Sequence, residues 1–530
     1  MPRRTKTLNL RPTLILCALS GALLAVCFPA FGLWPLAWIA LVPWLVALRL
    51  TGPVGALLGS WLGGFVFYGI LLYWLGLFGW TAWALTCIVL SLSSLAWGLA
   101  ARWIGRLGAS PRIFGAAVLW CGLEWARGLG QFGFTWGWLG YSQSPALELL
   151  PVARVAGTLG LSFLILLVNA TLAELVVSLS HEERPFRPAL RTVSILAFTA
   201  LALLGAGKWT ARQGDLEGPD LRVAIVQGSV HGPLRAEDVN VPLTREEMQR
   251  ARETYQTLTM EAAQARPSLI VWPESVLTGA PERDPPVAEW VSRATRASGA
   301  WLLAGGPYYD EAGRQFNSAY LYAPSGNLLA RYDKVQLVPF GEYVPARERI
   351  PFLDRYNVRD TDFSPGAVNR LLQAGTASLG PMICFESIFP QISWALVRKD
   401  AQVLIIITND AWFGRTAAAA QHRQIAVLRA VEANRWVVRA ASTGLSCFIA
   451  PDGRIVSQAG LFEKAVLSQE IQLAAERSGG ESPGLLFGWV MLFLSIAYVI
   501  APAALPRRRP KARAARRSAG PRPPDRAAPR

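Results

Sequence analysis

Gly380-Pro381-Met382-Ile383-Cys384-Phe385-Glu386-Ser387 follows the small apolar run Ala377-Ser378-Leu379. The run reads as a buried strand that ends in a turn, with a cysteine at its tip and a carboxylate two residues further on. That is the layout of a presented nucleophile. Free cysteine is also among the most buried residue types, so the stretch alone fits a small core residue as well. The two readings separate only if other strands of the same domain end in groups able to activate a thiol.

Working outward, Leu221–Gln227 reads as a strand running into a turn at Gly228. Thr244 followed by Glu247 has the spacing of a capping box, opening a helix that runs to about Ala265. Ser268–Trp272 is a second apolar strand, stopped by Pro273-Glu274. Further strands are expected at 300–305, 318–323, 328–332, 376–383, 403–408, 437–442 and 446–450, and helices at 286–298, 388–398 and 421–434. Strands that alternate with helices early and adjoin one another later predict an α/β sandwich of layers.

Several of these strands end in chemically useful groups. Trp272-Pro273-Glu274 sets a carboxylate just past a buried strand, where its pKa can rise toward that of a general base. Tyr332-Asp333-Lys334 does the same for an amine, with Val338-Pro339-Phe340-Gly341-Glu342 close behind. A cation there can stabilise an oxyanion. The nucleophilic form of Cys384 is the thiolate, so it needs a base nearby. Singly, each such residue is usually a solvated strand end; one base, one cation and one thiol in a single domain are harder to dismiss. Three histidines in all (His181, His231, His422), with no ligand-like spacing, argue against a metal, and no cofactor is expected. No phosphate-loop motif is present. A serine triad is not expected either, since His422 has no evident serine partner in the sequence.

The remainder of the 530 residues is dominated by apolar segments: 52% of the chain is hydrophobic and 21 residues are tryptophan. Crossing a bilayer takes about 17 to 25 apolar residues. Segments of this kind lie near 13–29, 33–50, 54–77, 81–101, 113–126, 155–179, 189–207 and 485–505, which predicts about eight transmembrane helices. The domains expected are a basic N-terminus (1–12), a membrane domain of about seven helices (13–207), an α/β domain (208–480), a last transmembrane helix (485–505) and a basic disordered tail (506–530). Cys17, Cys27, Cys87 and Cys121 fall in apolar runs, leaving Cys384 and Cys447 in the α/β part and no disulfide framework.

Charge orients the segments. With a cytoplasmic N-terminus and eight crossings, Arg3, Arg4, Lys6, Arg11, Arg49, Arg102, Arg106, Arg112, Arg184, Arg187, Arg191 and the tail share the cytoplasmic side, whereas the outer loops keep Arg127 and Arg154. This places 208–480 outside the cytoplasm. Of the net charge of +16, nine units belong to the tail, with ten basic residues and one Asp. The rest is unremarkable, and nucleic-acid binding is not expected. Between the fifth and sixth segments, Gly133–Gln143 is rich in Gly, Trp and Tyr. It suits an interfacial aromatic belt, or a loop on the same side as the α/β domain that lines a lipid access route.

The α/β domain resembles the carbon–nitrogen hydrolase (nitrilase) superfamily, whose Glu–Lys–Cys triad sits on an αββα sandwich. Glu274 in WPES, Lys334 in YDKVQLVPFGEYVP and Cys384 in ICFE match its motifs in order. With the crossings, the chain resembles the bacterial apolipoprotein N-acyltransferases over roughly residues 15 to 500. Asn409–Gly414, Gln421-His422, the spaced Arg429, Glu432, Arg435 and Arg439, and Gly444-Leu445-Ser446 belong to the same likeness. It departs from the family at Leu234-Arg235, where an aromatic residue is usual, at Phe385 (usually Tyr), at Thr135 (usually Pro), and at Ala417–Ala420, where Gly-Pro often precedes Gln-His.

The resemblance implies transfer of an acyl chain from a membrane phospholipid to the N-terminal diacylglyceryl-cysteine of an apolipoprotein through a thioester, the last step of lipoprotein maturation. It implies Glu274 as base, Lys334 and the Phe385 N–H at the oxyanion, Glu342 in support, and Phe340, Glu386, Trp412 and Phe413 as substrate contacts. It also implies a monomer in the bacterial cytoplasmic (inner) membrane with its catalytic domain on the periplasmic side. A membrane-tethered amidase of a small substrate would share the triad without needing so many crossings. A transporter or scaffold would be expected to bury more charge in its crossings than Glu124 and Arg127.

Overall fold

The computed structural model describes residues 8–180, 186–212, 216–230, 244–345, 347, 349, 362–367, 370–475 and 483–504. Arg3, Arg4, Lys6, His181, Arg184, His231, Leu234, Arg235 and the basic tail lie outside the described residues.

Seven helices come first: α1 (Leu10–Val26), α2 (Val42–Leu50), α3 (Pro53–Leu71), α4 (Trp80–Trp103), α5 (Ala109–Arg127), α6 (Pro151–Leu179) and α7 (Phe186–Arg212). Among the described residues five stretches are long and apolar enough to cross a membrane: Pro53–Leu71, Trp80–Arg106, Pro151–Leu179, Leu190–Thr210 and Pro483–Ala501. Leu10–Val26 and Trp34–Leu50 are apolar but shorter. The expected count of eight therefore stands at five by this criterion, although each of the eight segments contains a helix. Pro35 and Pro43 break the second into a 3-10 turn and a short helix. The third ends at Leu71, and Tyr73–Phe78 forms a separate 3-10 turn.

The α/β domain begins with β1 (Asp220–Gln227), α8 (Arg245–Ala263), β2 (Leu269–Val271), α9 (Pro285–Ser298), β3 (Trp301–Tyr309), β4 (Gln315–Tyr322) and β5 (Leu328–Asp333). It continues through β6 (Leu372–Ala374), β7 (Ala377–Ile383), α10 (Pro390–Val397), β8 (Val403–Thr408), α11 (Ala418–Ala433), β9 (Val437–Ala441), β10 (Cys447–Ile449), β11 (Ile455–Gln458) and β12 (Ala465–Gln472). Helix α12 (Pro483–Ala504) closes the described chain. Thr244 and Glu247 make the expected capping box at the start of α8.

Two six-stranded sheets result, ordered β12-β1-β2-β3-β4-β5 and β11-β10-β9-β8-β7-β6. In each, the three central strands run parallel and the outer pairings are antiparallel. The period-2 alternation of a strand sorts residues between layers. In β8, Val403, Ile405 and Ile407 face the other sheet, meeting Val223, Ile225, Leu269 and Val271. Leu404 and Ile406 face the opposite way. Being covered on both faces, β8 reads as the unbroken run Val-Leu-Ile-Ile-Ile. Helices α8 and α9 cover the first sheet through Tyr255, Val287, Trp290 and Val291, completing an αββα sandwich.

The helix layer on the second sheet does not end in solvent. Ile392, Trp394, Ile425 and Leu428 of α10 and α11 share one apolar core with Leu161, Ile165 and Trp138 of the membrane part. The junction is also polar. Helix α6 is broken at Gly157, whose φ of +66° and ψ of 178° only glycine adopts readily. The break frees the Thr158 N–H, which Glu432 Oε1 of α11 accepts at 2.6 Å.

Candidate active site

The two sheets bring their chemistry to one end. Glu274 follows β2, Lys334 follows β5 and Cys384 follows β7. The Glu274 and Lys334 side chains are buried, at 6% and 1% exposure, whereas Cys384 is half-buried. Gly305 of β3 lets the Glu274 backbone pass, since a Cβ there would lie 2.6 Å from Glu274 Cα. Cys384 has φ +52°, a conformation costly for a residue with a Cβ. It opens the 3-10 turn Cys384–Ile388, so the chain reverses sharply at the thiol.

Lys334 Nζ lies 3.8 Å from Glu274 Oε1 and 3.0 Å from Glu342 Oε1. Asn317 Nδ2 joins the carboxylates, donating to Glu274 Oε1 at 2.7 Å and Glu342 Oε1 at 2.9 Å. The Asn409 N–H donates to Glu274 Oε2 at 2.7 Å, and the Val338 N–H to Glu342 Oε2 at 2.9 Å. Burial pushes the Glu274 carboxyl above its ordinary range although Lys334 opposes it. Burial works against the Lys334 ammonium, but Glu342 and then Glu274 outweigh it and raise its pKa, so it stays a cation. Burial, helped by the Glu274 charge, pushes the Cys384 thiol far above its usual value. Glu274, Glu342, Lys334 and Asn317 thus form one buried, hydrogen-bonded cluster, whose charges act on the Cys384 thiol.

The other expected site residues sit as follows. Phe385 is half-buried, its ring against Phe134 and Phe389. Phe340 is half-buried with φ +61°. Trp412 stacks on Phe78 with centroids 6.3 Å apart, and Phe413 packs on Trp74 at 5.0 Å, so both rings meet the 3-10 turn after α3. Glu386 is not where a substrate contact would be. It is fully buried. Its Oε1 accepts from Tyr332 Oη and the Val335 N–H, and its Oε2 from the Ile383 N–H. It ties the cysteine turn to the lysine loop. Burial lifts its carboxyl to about 6.

Two relationships went unrecognised in the sequence. Asn317 carries no motif and stands in β4 among other polar residues, Gln315 and Ser318, so nothing in the sequence singles it out. His422 does have a serine partner, contrary to expectation: Ser387 Oγ lies 2.7 Å from its Nε2. Of the two readings given for the loop Gly133–Gln143, the exposed aromatic belt does not hold, since Trp136, Trp138 and Tyr141 are buried. Trp136 Nε1 donates to Gln421 Oε1 at 2.8 Å. Thr135 Oγ1 donates to the Ile388 carbonyl at 2.6 Å, and Arg429 Nη1 to the same oxygen at 3.3 Å. The membrane part thus grips the cysteine turn four residues beyond the thiol.

Family models match in two blocks. The apolipoprotein N-acyltransferase N-terminal domain matches residues 20–171 and the carbon-nitrogen hydrolase model residues 222–479. An apolipoprotein N-acyltransferase of Geobacter metallireducens is 35% identical over 490 residues, covering 90% of this chain and 92% of that one. This chain belongs to the apolipoprotein N-acyltransferase family. Members from Pseudomonas putida and Azotobacter vinelandii are 31% and 32% identical, covering 92% and 87% of this chain and 98% and 89% of their own. An amidase from Nesterenkonia sp. is similar over 49% of this chain and 93% of its own, at 20% identity and a TM-score of 0.37. As an apolipoprotein N-acyltransferase family member, the chain joins both family blocks through the contacts of α6 and the Gly133–Gln143 loop with α11.

Proposed function

We propose that the protein transfers an acyl chain from a membrane phospholipid to the α-amino group of a diacylated apolipoprotein, with Cys384 as the nucleophile, Glu274 as base and Lys334 as oxyanion stabiliser. The observation that carries this reading is the 3.8 Å approach of Lys334 to Glu274 at the strand ends where the Cys384 turn meets the membrane part. Glu274 takes the thiol proton as sulfur attacks the ester carbonyl carbon. The tetrahedral oxyanion is held by Lys334 and by the Phe385 N–H, one of the first amides of a 3-10 turn and so without a carbonyl upstream in that turn. Collapse breaks the ester C–O bond, and Glu274 returns its proton to the departing lysophospholipid. The amine then attacks the thioester, Glu274 takes the amine proton, and collapse to the amide restores the thiol.

Glu342 holds Lys334 in place, and Glu386 positions the turn. Phe340, Trp412 and Phe413 are the substrate contacts in this reading, the last two supported by their packing on the 3-10 turn after α3. The arginine distribution supports a catalytic domain on the periplasmic side of the inner membrane.

Intact-mass measurement on the purified protein given phospholipid tests the reading. An acyl adduct on Cys384 is expected, absent in Cys384→Ala and discharged by a diacylated lipopeptide. Turnover of a small soluble amide without any phospholipid adduct would replace the acyltransferase by an amidase. Protease added outside intact spheroplasts should cut within 208–480; cleavage only after lysis would reverse the orientation.

A further inference from the structure

Behind the thiol lies a buried polar chain that the transfer above does not use. Ser387 Oγ lies 2.8 Å from the Cys384 carbonyl oxygen and 2.7 Å from His422 Nε2. His422 Nδ1 lies 3.4 Å from both Arg439 Nη2 and Asp410 Oδ1. Arg439 Nη2 donates to Asp410 Oδ2 at 2.6 Å, and Thr408 Oγ1 donates to Asp410 Oδ1 at 3.0 Å. Ser387, His422, Asp410 and Arg439 are all at most 1% exposed. No substrate reaches this serine, so the group is not a second hydrolase triad despite its composition.

The protons can be placed by counting. Ser387 has one hydroxyl proton and two close neighbours, an oxygen and a nitrogen. If it went to His422, the 2.8 Å contact between Ser387 Oγ and the Cys384 carbonyl would hold two oxygens and no proton. It therefore goes to the carbonyl, and His422 must carry its proton on Nε2 and donate to Ser387. Nδ1 is then an acceptor, facing the Arg439 hydrogen that Asp410 does not use. Asp410 Oδ1 already has its donor in Thr408. Burial, and then the Arg439 charge, hold the His422 pKa below its ordinary value, in keeping with a neutral ring. Apart from the bonds that Asp410 accepts, the hydrogen bonds point one way, from Arg439 to His422 and from His422 to the Cys384 carbonyl, which its Nε2 reaches through Ser387 and also directly at 3.3 Å.

That carbonyl belongs to the same peptide group as the Phe385 N–H. We propose that Arg439, His422 and Ser387 form a one-way donor relay that polarises the Cys384–Phe385 peptide and so strengthens the Phe385 N–H as the oxyanion donor. Aligned hydrogen bonds reinforce one another, by about 10–30% per bond. The relay touches no substrate; its three members are positioning residues. The inference rests on the acyl-enzyme reading of Cys384.

Isotope-edited infrared spectroscopy of the acyl-enzyme tests it, with full-length protein and phospholipid labelled with carbon-13 at the ester carbonyl. The thioester carbonyl stretch reads the strength of the oxyanion donor directly. Ser387→Ala should move the band to higher wavenumber and slow thioester formation about tenfold, less than the loss of a whole oxyanion donor. Ser387→Thr, which keeps the hydroxyl, should restore both. His422→Phe keeps a ring against Trp136, removes the donor, and should move the band in the same direction by less; it also serves if the serine variant fails to fold. A slower reaction with an unmoved band in both variants would make the serine a packing residue and overturn the relay. A wild type that forms no thioester would overturn the acyl-enzyme reading itself, and the relay with it.

Discussion

Glu432 of α11 accepts the Thr158 N–H at 2.6 Å, at the point where Gly157 breaks membrane helix α6. The same carboxylate pairs with Arg429 at 2.7 Å, both side chains buried, and Arg429 in turn reaches the Ile388 carbonyl beside the cysteine turn. A helix break in the membrane part is therefore joined, through one ion pair, to the segment that carries the thiol. Glu432→Ala should strand the Arg429 charge and the Thr158 N–H together, at about 3–5 kcal/mol. Glu432→Gln, which keeps an acceptor for Thr158, should lose less. Thermal unfolding in detergent measures both; an unchanged midpoint in Glu432→Ala would show that the pair does not hold the two parts together.

Gly157→Ala approaches the same junction from the backbone. Its φ and ψ are close to forbidden for alanine, and the new Cβ would meet Gly484 Cα at 3.0 Å. A cost of about 1–3 kcal/mol is expected. The same unfolding measurement should find it, with thioester formation slowed alongside. Full stability and full activity would contradict the packing described.

Much of this could be read from the residues, and the reasons are physical. Cys384, Glu274 and Lys334 each stand at the end of an apolar run, and apolar runs are what a sequence displays most openly. The layered α/β architecture followed from the same runs. The edge strands β6, β11 and β12 were not expected: β6 has only three residues, and β11 alternates half-buried and exposed residues without an apolar face. Asn317, Ser387 and Thr135 were invisible as functional groups because their roles come from partners 43, 35 and 253 positions away. Glu386 was misplaced for a related reason: beside a nucleophile, a carboxylate that binds four donors looks the same in sequence as one that faces substrate.

The raised pKa of Glu274 has a direct consequence for activity. A base works only when deprotonated, so the rate of thioester formation should fall as pH drops through the folded-state pKa of Glu274. Burial places that limb above the range of an ordinary carboxylate. Single-turnover acylation followed against pH locates it, and Glu274→Gln should lose about 10²–10⁴-fold in rate and the limb with it. A rate flat down to the ordinary carboxylate range would remove Glu274 from the role of base.

Asn317 should set the position of that limb. Its amide donates to the ionised form of Glu274 and so favours it, opposing burial. A hydrogen bond to a charged group contributes about 1.5–3 kcal/mol, and one pKa unit corresponds to about 1.4 kcal/mol. Asn317→Leu should move the acidic limb of the pH profile upward by about one unit or more, with little change in lipid KM. A downward shift, or none, would show that Asn317 holds only Glu342.

Glu386→Gln separates a positioning residue from a substrate contact. The carboxylate accepts on both oxygens, from Tyr332 Oη and the Val335 N–H on one side and from the Ile383 N–H on the other. Glutamine keeps one acceptor and turns a donor toward the remaining N–H or hydroxyl, leaving a buried donor unpaired at about 1–3 kcal/mol. The variant should unfold at lower temperature and form the thioester more slowly, because the turn that presents Cys384 loses its tie to the Lys334 loop. Its KM for the diacylated lipopeptide should not move. A raised lipopeptide KM with an unchanged thioester rate would put Glu386 against the acceptor after all, and would require the turn to open when substrate binds.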